Sequence, residues 1–314
     1  MKKLLLTFAK ACHFVLPNYI LMNMLVFLKH IPILRKSVSF FDPNNIRKYL
    51  PFELPERHIF LRDKSWNLLV NSRDHIGFRS YIKNEPFEMA IYKLAQKISP
   101  LGRYIIIDIG ANIGSASVPV CAKYGYQLLA IEASKSNLPL LASNVLNNEL
   151  KAKILPYALV DEVREDYIKL FINKGNTGAN SLLEEWNPSL TTNEAKLIEY
   201  VPTKTFDQII KEEKVDVGSV LMTKIDVEGM EEAVLKGSIE FLAVNDAPII
   251  LEYRLDAVRK YQDKDMRGVL DIFERFDYSL YALTDEGSIM NFNPSLSYEN
   301  IIAIKRGYEL EGLT

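Results

Sequence analysis

Tyr104-Ile105-Ile106-Ile107-Asp108-Ile109-Gly110-Ala111-Asn112-Ile113-Gly114 is the stretch that decides the fold of this 314-residue chain. Its first half is a run of β-branched residues with no polar break, which predicts a strand buried on both faces. Two glycines follow, four positions apart, and apolar residues resume at Val118. The predicted order is therefore strand, glycine turn and helix. Such a turn lets the backbone approach a ligand closely, and the helix offers its free N–H groups.

A second buried run, residues 127–131, ends in Glu132, and an acid at such a strand tip suits the hydroxyls of a ribose. The glycine pattern is Gly-x-x-x-Gly after Asp108, whereas nicotinamide proteins need Gly-x-Gly-x-x-Gly to approach a pyrophosphate. The spacing therefore favours a nucleoside without a pyrophosphate, S-adenosyl-L-methionine, over an ordinary turn between a strand and a helix.

Composition narrows the class of protein. The net charge is −2, with 48% hydrophobic and 25% charged residues, which is typical of a globular protein without bulk attraction for nucleic acid. Two cysteines predict no disulfide framework and fit a reducing compartment, so we expect a cytoplasmic protein. The four histidines are scattered and no Cys/His cluster has zinc spacing, so no metal site of that kind is predicted.

Residues 1–57 are predicted to be an apolar and basic helical extension. The first 41 residues hold six Lys/Arg and no acid, and Pro17 divides the uncharged run 11–28, so a membrane span is not expected. An amphipathic hairpin of residues 1–41 could lie on a membrane surface, or it could pack on the domain or on a second subunit. Packing is the favoured interpretation. The two partners predicted for residues 1–41 are a second copy of the chain, in a homodimer, and a membrane surface, in a peripheral contact.

Residues 58–314 are predicted to form the main domain. Alternation and turn signals indicate a small antiparallel β meander over 58–83, and strands then alternate with helices over 84–314. This order predicts an α/β three-layer sandwich with a mostly parallel, seven-stranded sheet closed by strands 278–283 and 299–304. Three further predictions are a third strand at 154–159, a helix at 113–124 kinked by Pro119, and a helix at 257–276.

Several blocks, in this order, resemble the FkbM family of S-adenosylmethionine-dependent methyltransferases over about residues 74–305. The blocks are residues 108–114, 132–144, 178–182, 201–207, 224–237 and 249–252, of which 224–237 is the most specific. The chain departs from the family at Ala133 and Lys135, where the family usually has prolines. The resemblance does not extend to residues 1–57.

The resemblance implies a class I (Rossmann-like) methyltransferase fold and O-methylation of a hydroxyl on a sugar, a glycan or a small natural product. It implies contacts to S-adenosylmethionine from Asp108, Gly110, Ala111, Asn112, Gly114, Glu132 and, beside the adenine, Ala158. The alternative is a module of another kind, a catalytically inactive nucleoside-binding or membrane-tethered assembly protein.

Asp226 and Glu252 are the predicted catalytic residues. They end the predicted fourth and fifth strands at the sheet edge where ligands bind in open α/β folds. Asp226 has three candidate roles. It could be the general base for a hydroxyl, it could share a divalent ion with Glu252, or it could cap the helix 230–236, for which Glu228 is an equal candidate. The general base is the favoured role.

Overall fold

A computed structural model of the protein describes residues 58–98, 102, 104–173, 175–186 and 197–308. The predicted hairpin of residues 1–41 lies outside these ranges, as does the rest of the predicted N-terminal extension, residues 42–57. Among the helices of the described ranges, none has the length and apolar character needed to cross a membrane. The described residues fall into two compact units, one of 58–61 with 69–87 and one of 62–68 with 88–308.

The first described elements are a hairpin and a helix. The hairpin pairs β1 (His58–Arg62) with β2 (Asn67–Asn71), and α1 (His75–Lys83) follows. The predicted meander is therefore wrong over 75–83. The reason is Asp74, whose carboxylate accepts hydrogen bonds from the N–H groups of Ile76 and Gly77 and so starts a helix.

The larger unit is built on two sheets. Its strands are β3 (Ile105–Ile109), β4 (Gln127–Ile131), β5 (Ala152–Leu155), β6 (Ala158–Leu159), β7 (Tyr167–Ile172), β8 (Leu197–Lys204), β9 (Val220–Ile225), β10 (Ile249–Tyr253), β11 (Tyr278–Leu283), β12 (Ile289–Asn291) and β13 (Tyr298–Lys305). The main sheet has the order β12-β11-β13-β10-β9-β3-β4-β5, and a small sheet has the order β6-β8-β7.

The main sheet confirms the predicted fold class. Strands β5, β4, β3, β9 and β10 are parallel, and β13, β11 and β12 complete the sheet in antiparallel pairs. All six residues of β9 are buried, so both of its faces are covered, as expected for a parallel sheet between helices. The sheet has eight strands rather than seven because the short β12 extends its antiparallel edge. The predicted third strand, 154–159, divides between β5 and β6, which belong to different sheets.

The helices of the larger unit connect these strands. They are α2 (Met89–Ile98), α3 (Val118–Tyr124), α4 (Leu138–Asn147), α5 (Phe206–Glu212), α6 (Glu231–Lys236), α7 (Ile239–Val244), α8 (Leu255–Gln262) and α9 (Arg267–Arg275). The predicted kink at Pro119 is wrong, since α3 begins at Val118 and proline is accommodated in a first turn. The predicted helix 257–276 is two helices, because Asp263 has a left-handed backbone (φ 51°) that ends α8.

The turn after β3 requires a glycine at position 110. Gly110 has φ +79°, and a Cβ atom there would lie 1.8 Å from the carbonyl oxygen of Asp226, which follows β9. The backbones at the ends of these two neighbouring strands are therefore in direct contact. The Asp226 N–H donates a hydrogen bond to the Ile109 carbonyl at 3.0 Å, which fixes the same two strand ends against each other.

We predict that Gly110→Ala lowers the free energy of unfolding far more than Gly125→Ala. Gly125 has a similar φ of +71° but no atom within 4 Å of its Cβ position, so its replacement measures backbone strain alone, about 1 kcal/mol. Overpacking against Asp226 should add about 2 kcal/mol or more for Gly110→Ala. Urea unfolding of the two variants provides the measurement, and equal losses would show that the close contact is not a constraint.

Candidate active site

A pocket lies at the carboxyl ends of the parallel strands in the larger unit. The space between its lining residues, including the part open to solvent, is about 580 Å³. Tyr157, Glu132, Gly110 and Asp226 line it, and they come shortly after β5, β4, β3 and β9 respectively. These four strands are consecutive in the sheet, and strands lie about 4.8 Å apart. The pocket therefore runs along the sheet edge from Tyr157 to Asp226.

The polar insertion after β6 forms a further wall of the pocket. Leu170 of β7 lines it, together with Thr177, Gly178, Asn180 and Leu182 from the loop that follows. The prediction of site residues did not include these positions. The available signal was the resemblance of residues 178–182 to a family block, which pointed to the segment without giving it a place in the fold.

Glu132, at the centre of the pocket, connects the glycine turn after β3 to the segment that follows β4. Its Oε2 accepts a hydrogen bond from the Asn112 N–H at 2.7 Å, and its Oε1 accepts from the Ser134 N–H at 2.8 Å and from the Asn137 amide at 3.2 Å. Burial raises the pKa of the Glu132 carboxyl to about 7, although these donors oppose the increase. Glu132 is only 7% exposed, so it is part of the folded structure around the pocket as well as of the pocket wall.

The predicted residues of the glycine turn take different places. Gly110 and Asn112 line the pocket, as does Ala158 of β6 next to the Tyr157 end. Ala111 and Gly114 are buried beside them and do not line it. Their contacts to S-adenosylmethionine stay a prediction, with Gly110, Asn112 and Ala158 placed on the pocket wall and Ala111 and Gly114 behind it.

Asp108 is also absent from the pocket wall. It is fully buried, and its Oδ2 accepts a hydrogen bond from the Ser117 hydroxyl at 2.5 Å. Burial raises the pKa of Asp108, with Lys224 acting in the opposite direction. Asp108 thus joins β3 to the start of α3, and its contact with the cofactor stays a prediction.

Lys224, in the middle of the larger unit, is a buried cation surrounded by acids. Its Nζ lies 3.0 Å from Asp226, 3.3 Å from Glu88 and 3.9 Å from Asp108. Burial alone would lower the pKa of Lys224, but these three carboxylates hold it well above its usual value. Lys224 therefore stays charged, and a buried charge of this kind requires paired carboxylates.

Asp226 lines the pocket directly after β9, with 26% of its side chain exposed. Its carboxylate binds Lys224 and makes no hydrogen bond to the turn that precedes α6. Glu231 has that role instead, since its Oε1 accepts from the N–H groups of Val227 and Gly229 at 3.1 and 3.2 Å. The capping alternative for Asp226 or Glu228 is therefore wrong.

Glu252 lies in β10 and is not part of the pocket wall. Its Oε2 is buried without a hydrogen-bond partner, and its Oε1 is 3.7 Å from Arg254. Burial and the neighbouring acids, Asp226 first among them, raise the pKa of Glu252 well above its usual value. Carboxylate oxygens of Asp226, Glu231 and Glu252 lie within 4.8 Å of one another, but Lys224 already neutralises the first and backbone N–H groups bind the second.

A profile described as the methyltransferase FkbM domain matches residues 108–280, which is more than half of the chain. The chain belongs to the FkbM methyltransferase family. The match begins at Asp108 in β3, just before the glycine turn, and continues into β11. Membership confirms the resemblance inferred from the sequence and agrees with the predicted cofactor, S-adenosyl-L-methionine.

Solved structures include similar chains at low identity. A methyltransferase FkbM from Methylobacillus flagellatus KT is 14% identical, with 73% of this chain and 53% of that chain covered and a TM-score of 0.41. An O-methyltransferase from Bacillus cereus is 14% identical over 70% and 82% of the two chains, with a TM-score of 0.39. The O-methyltransferase TomG from Streptomyces achromogenes is 13% identical over 71% and 80%, with a TM-score of 0.39. The chain thus aligns with about half the length of the first. No curated protein sequence shows a significant match.

We predict that Glu132→Ala weakens both cofactor binding and folding. Loss of a charged acceptor should cost about 1.5–3 kcal/mol in affinity for S-adenosylhomocysteine, and the N–H groups of Asn112 and Ser134 left unpaired should lower stability by about 1–3 kcal/mol. Calorimetry and urea unfolding measure the two effects separately. Normal affinity in a folded variant would remove Glu132 from the ligand site, and normal stability would show that its hydrogen bonds are replaced by water.

Proposed function

We propose that the protein is an S-adenosylmethionine-dependent O-methyltransferase whose acceptor is a hydroxyl on a sugar, a glycan or a small natural product. The observation that supports this most is the single pocket wall that carries Gly110, Asn112 and Glu132 at its centre and Asp226 at one end. This wall has exposed backbone at Gly110 and an acid suited to a ribose, Glu132. It also has a second acid, Asp226, which is paired with Lys224.

The residues present fit this cofactor. Gly110 brings bare backbone to the pocket wall, and Glu132 lines the same wall with its carboxylate oriented by three hydrogen bonds. Tyr157 and Ala158 supply an apolar end of the pocket for the adenine. When bound, S-adenosylmethionine supplies an activated methyl group on a sulfonium.

Asp226 is the proposed proton acceptor. It lines the pocket and is held by Lys224 at 3.0 Å, so its carboxylate is placed to receive the proton of an acceptor hydroxyl held against it. A carboxylate oxygen of Glu252 lies within 4.8 Å of one of Asp226, so Glu252 would act on this residue through its charge and not by touching the acceptor. The main contribution of the chain is orientation, since an oxygen held in line at about 3–3.5 Å from the methyl group is close to its reacting position.

Calorimetry with the full chain tests the proposed cofactor. We expect S-adenosylhomocysteine to bind once per chain and NAD not to bind, because the turn lacks the glycine spacing that admits a pyrophosphate. Binding of S-adenosylhomocysteine without methyl transfer to any hydroxyl compound or glycan would favour the inactive nucleoside-binding module. Absence of binding would contradict the proposed function.

We predict that Asp226→Asn retains affinity for S-adenosylhomocysteine and loses roughly 10²–10⁴-fold in turnover, the usual contribution of a general base. The acceptor is identified first as the compound that gains a methyl group when extracts are incubated with labelled S-adenosylmethionine and the wild-type chain. A chelator should leave the wild-type rate unchanged. Loss of activity on chelation, restored by Mg²⁺, would instead support the shared ion with Glu252, and a normal rate in Asp226→Asn would require a different base.

A further inference from the structure

Glu228 lies at the same end of the pocket as Asp226 and has an unusual backbone. It lines the pocket, its φ is +52°, and Gly229 follows with φ +97°. The strain is maintained by two hydrogen bonds from outside the turn, since the Ser181 hydroxyl donates to the Glu228 carbonyl at 2.7 Å and the Gln262 amide donates to the Gly229 carbonyl at 3.0 Å. Non-glycine residues in this conformation persist only where the surroundings impose it, frequently at functional sites.

Trp186 fixes the position of the Glu228 carboxylate. Its indole N–H donates to Glu228 Oε2 at 2.7 Å, and its side chain is almost fully buried. The indole ring packs on Gly229, where a Cβ atom would lie 2.8 Å from Cε3, and it contacts the ring of Tyr261 at 5.9 Å between centroids. Trp186 is thus held in place by Gly229, just before α6, and by Tyr261 of α8.

The charge of Glu228 has a different environment from that of Asp226. Lys224 neutralises Asp226 at 3.0 Å, whereas the hydrogen-bond donor to Glu228 is a neutral indole. The charged groups that act on Glu228 are Asp226, Glu231, Glu252 and Arg254, and three of these are acids. Arg254, the one cation in this set, is paired with Asp256 and Glu252.

The position and surroundings of the Glu228 carboxylate affect which form of the cofactor the pocket binds, an inference that rests on the proposed function. With the ribose on Glu132 at the end of β4, the rest of the cofactor extends past Gly110 toward the acids that follow β9. We infer that Glu228 makes the pocket prefer the positively charged sulfonium of S-adenosylmethionine to the neutral thioether of S-adenosylhomocysteine, and that Trp186 is the residue that positions its carboxylate. Product release would then be favoured by the loss of the positive charge.

The protonation of Glu228 supports the inference. Burial raises the pKa of its carboxyl to about 8, the Asp226 carboxylate adds to the increase, and the Trp186 hydrogen bond opposes it. A cation bound beside Glu228 favours the ionised form, so binding of the sulfonium lowers this pKa and releases a proton. Affinity for the sulfonium compound should therefore rise with pH until about pH 8 and then level off, while affinity for the thioether should not follow this profile.

Calorimetry of the full-length protein with both compounds at pH 6.5 and 8.5 tests the inference. In the wild type, we expect the ratio of S-adenosylmethionine to S-adenosylhomocysteine affinity to rise about tenfold between the two values, as one pKa unit implies. Glu228→Gln should remove this rise and lower the ratio at pH 8.5 about tenfold, with thioether affinity within twofold of the wild type. Glu232→Gln, which changes a partly exposed acid of α6 that does not line the pocket, is the matched control and should behave as the wild type.

Trp186→Phe provides a second variant that keeps an aromatic ring and removes the N–H donor. Its affinity ratio should rise at a higher pH than in the wild type, because the hydrogen bond that favours the ionised carboxylate is lost. If the role of Trp186 were purely structural, Trp186→Phe would lower the melting temperature and leave unchanged the pH at which the affinity ratio rises. An unchanged ratio in Glu228→Gln, or an equal loss of affinity for both compounds, would overturn the inference while the proposed function stands. Failure of the wild type to bind either compound would overturn the proposed function itself.

Discussion

The contact between the ends of β3 and β9 is the constraint on which the rest of the pocket depends. Gly110 lies against the carbonyl oxygen of Asp226, and the Asp226 N–H donates to Ile109 at 3.0 Å. Below this contact, Lys224 joins Asp226, Asp108 and Glu88 through one ammonium group. The glycine turn and the proposed proton acceptor are therefore fixed relative to each other by backbone contact and by charge. Neither could be moved without changing the other.

The distribution of charge at the pocket fits a cationic ligand better than an anionic one. Four acids, namely Asp226, Glu228, Glu231 and Glu252, cluster where β9 and β10 end, and burial is the largest cause of the raised pKa of the last three. Only Asp226 has a buried lysine beside it. A ligand that brings its own positive charge would relieve this imbalance, whereas a phosphate or pyrophosphate would increase it. The electrostatics and the glycine spacing therefore favour the same kind of cofactor by independent arguments.

Strong local signals account for the parts of the fold that the sequence predicted well. The strand predicted at 278–283 has these bounds in β11, and the strand predicted at 299–304 lies within β13, because Asp277 precedes the first and Lys305 and Arg306 follow the second. The errors arose where a local pattern was overridden. Asp263 ends α8 inside a continuous helical pattern, and the run 154–159 is apolar throughout although its two halves join different sheets.

In the candidate site too, local sequence predicted the residues at strand ends but not the contacts between residues far apart in the chain. Gly110, Glu132 and Asp226 follow strands directly and Asn112 lies in the turn after β3, so the strand ends predicted their place at one edge of the sheet. Glu252 also lies near a strand end, but β10 is one strand beyond β9 and its carboxyl is covered. The bond between Trp186 and Glu228 joins residues that are 42 positions apart, through a loop whose course no periodicity reveals.

A crystal structure of the full chain with S-adenosylhomocysteine bound is the most direct measurement of the central claim, that the pocket at the strand ends is the cofactor site. The account predicts the adenine beside Tyr157 and Ala158, the ribose hydroxyls on Glu132, and the sulfur toward Asp226 and Glu228. A ligand bound elsewhere, or bound here with its adenine at the Asp226 end, would contradict the account.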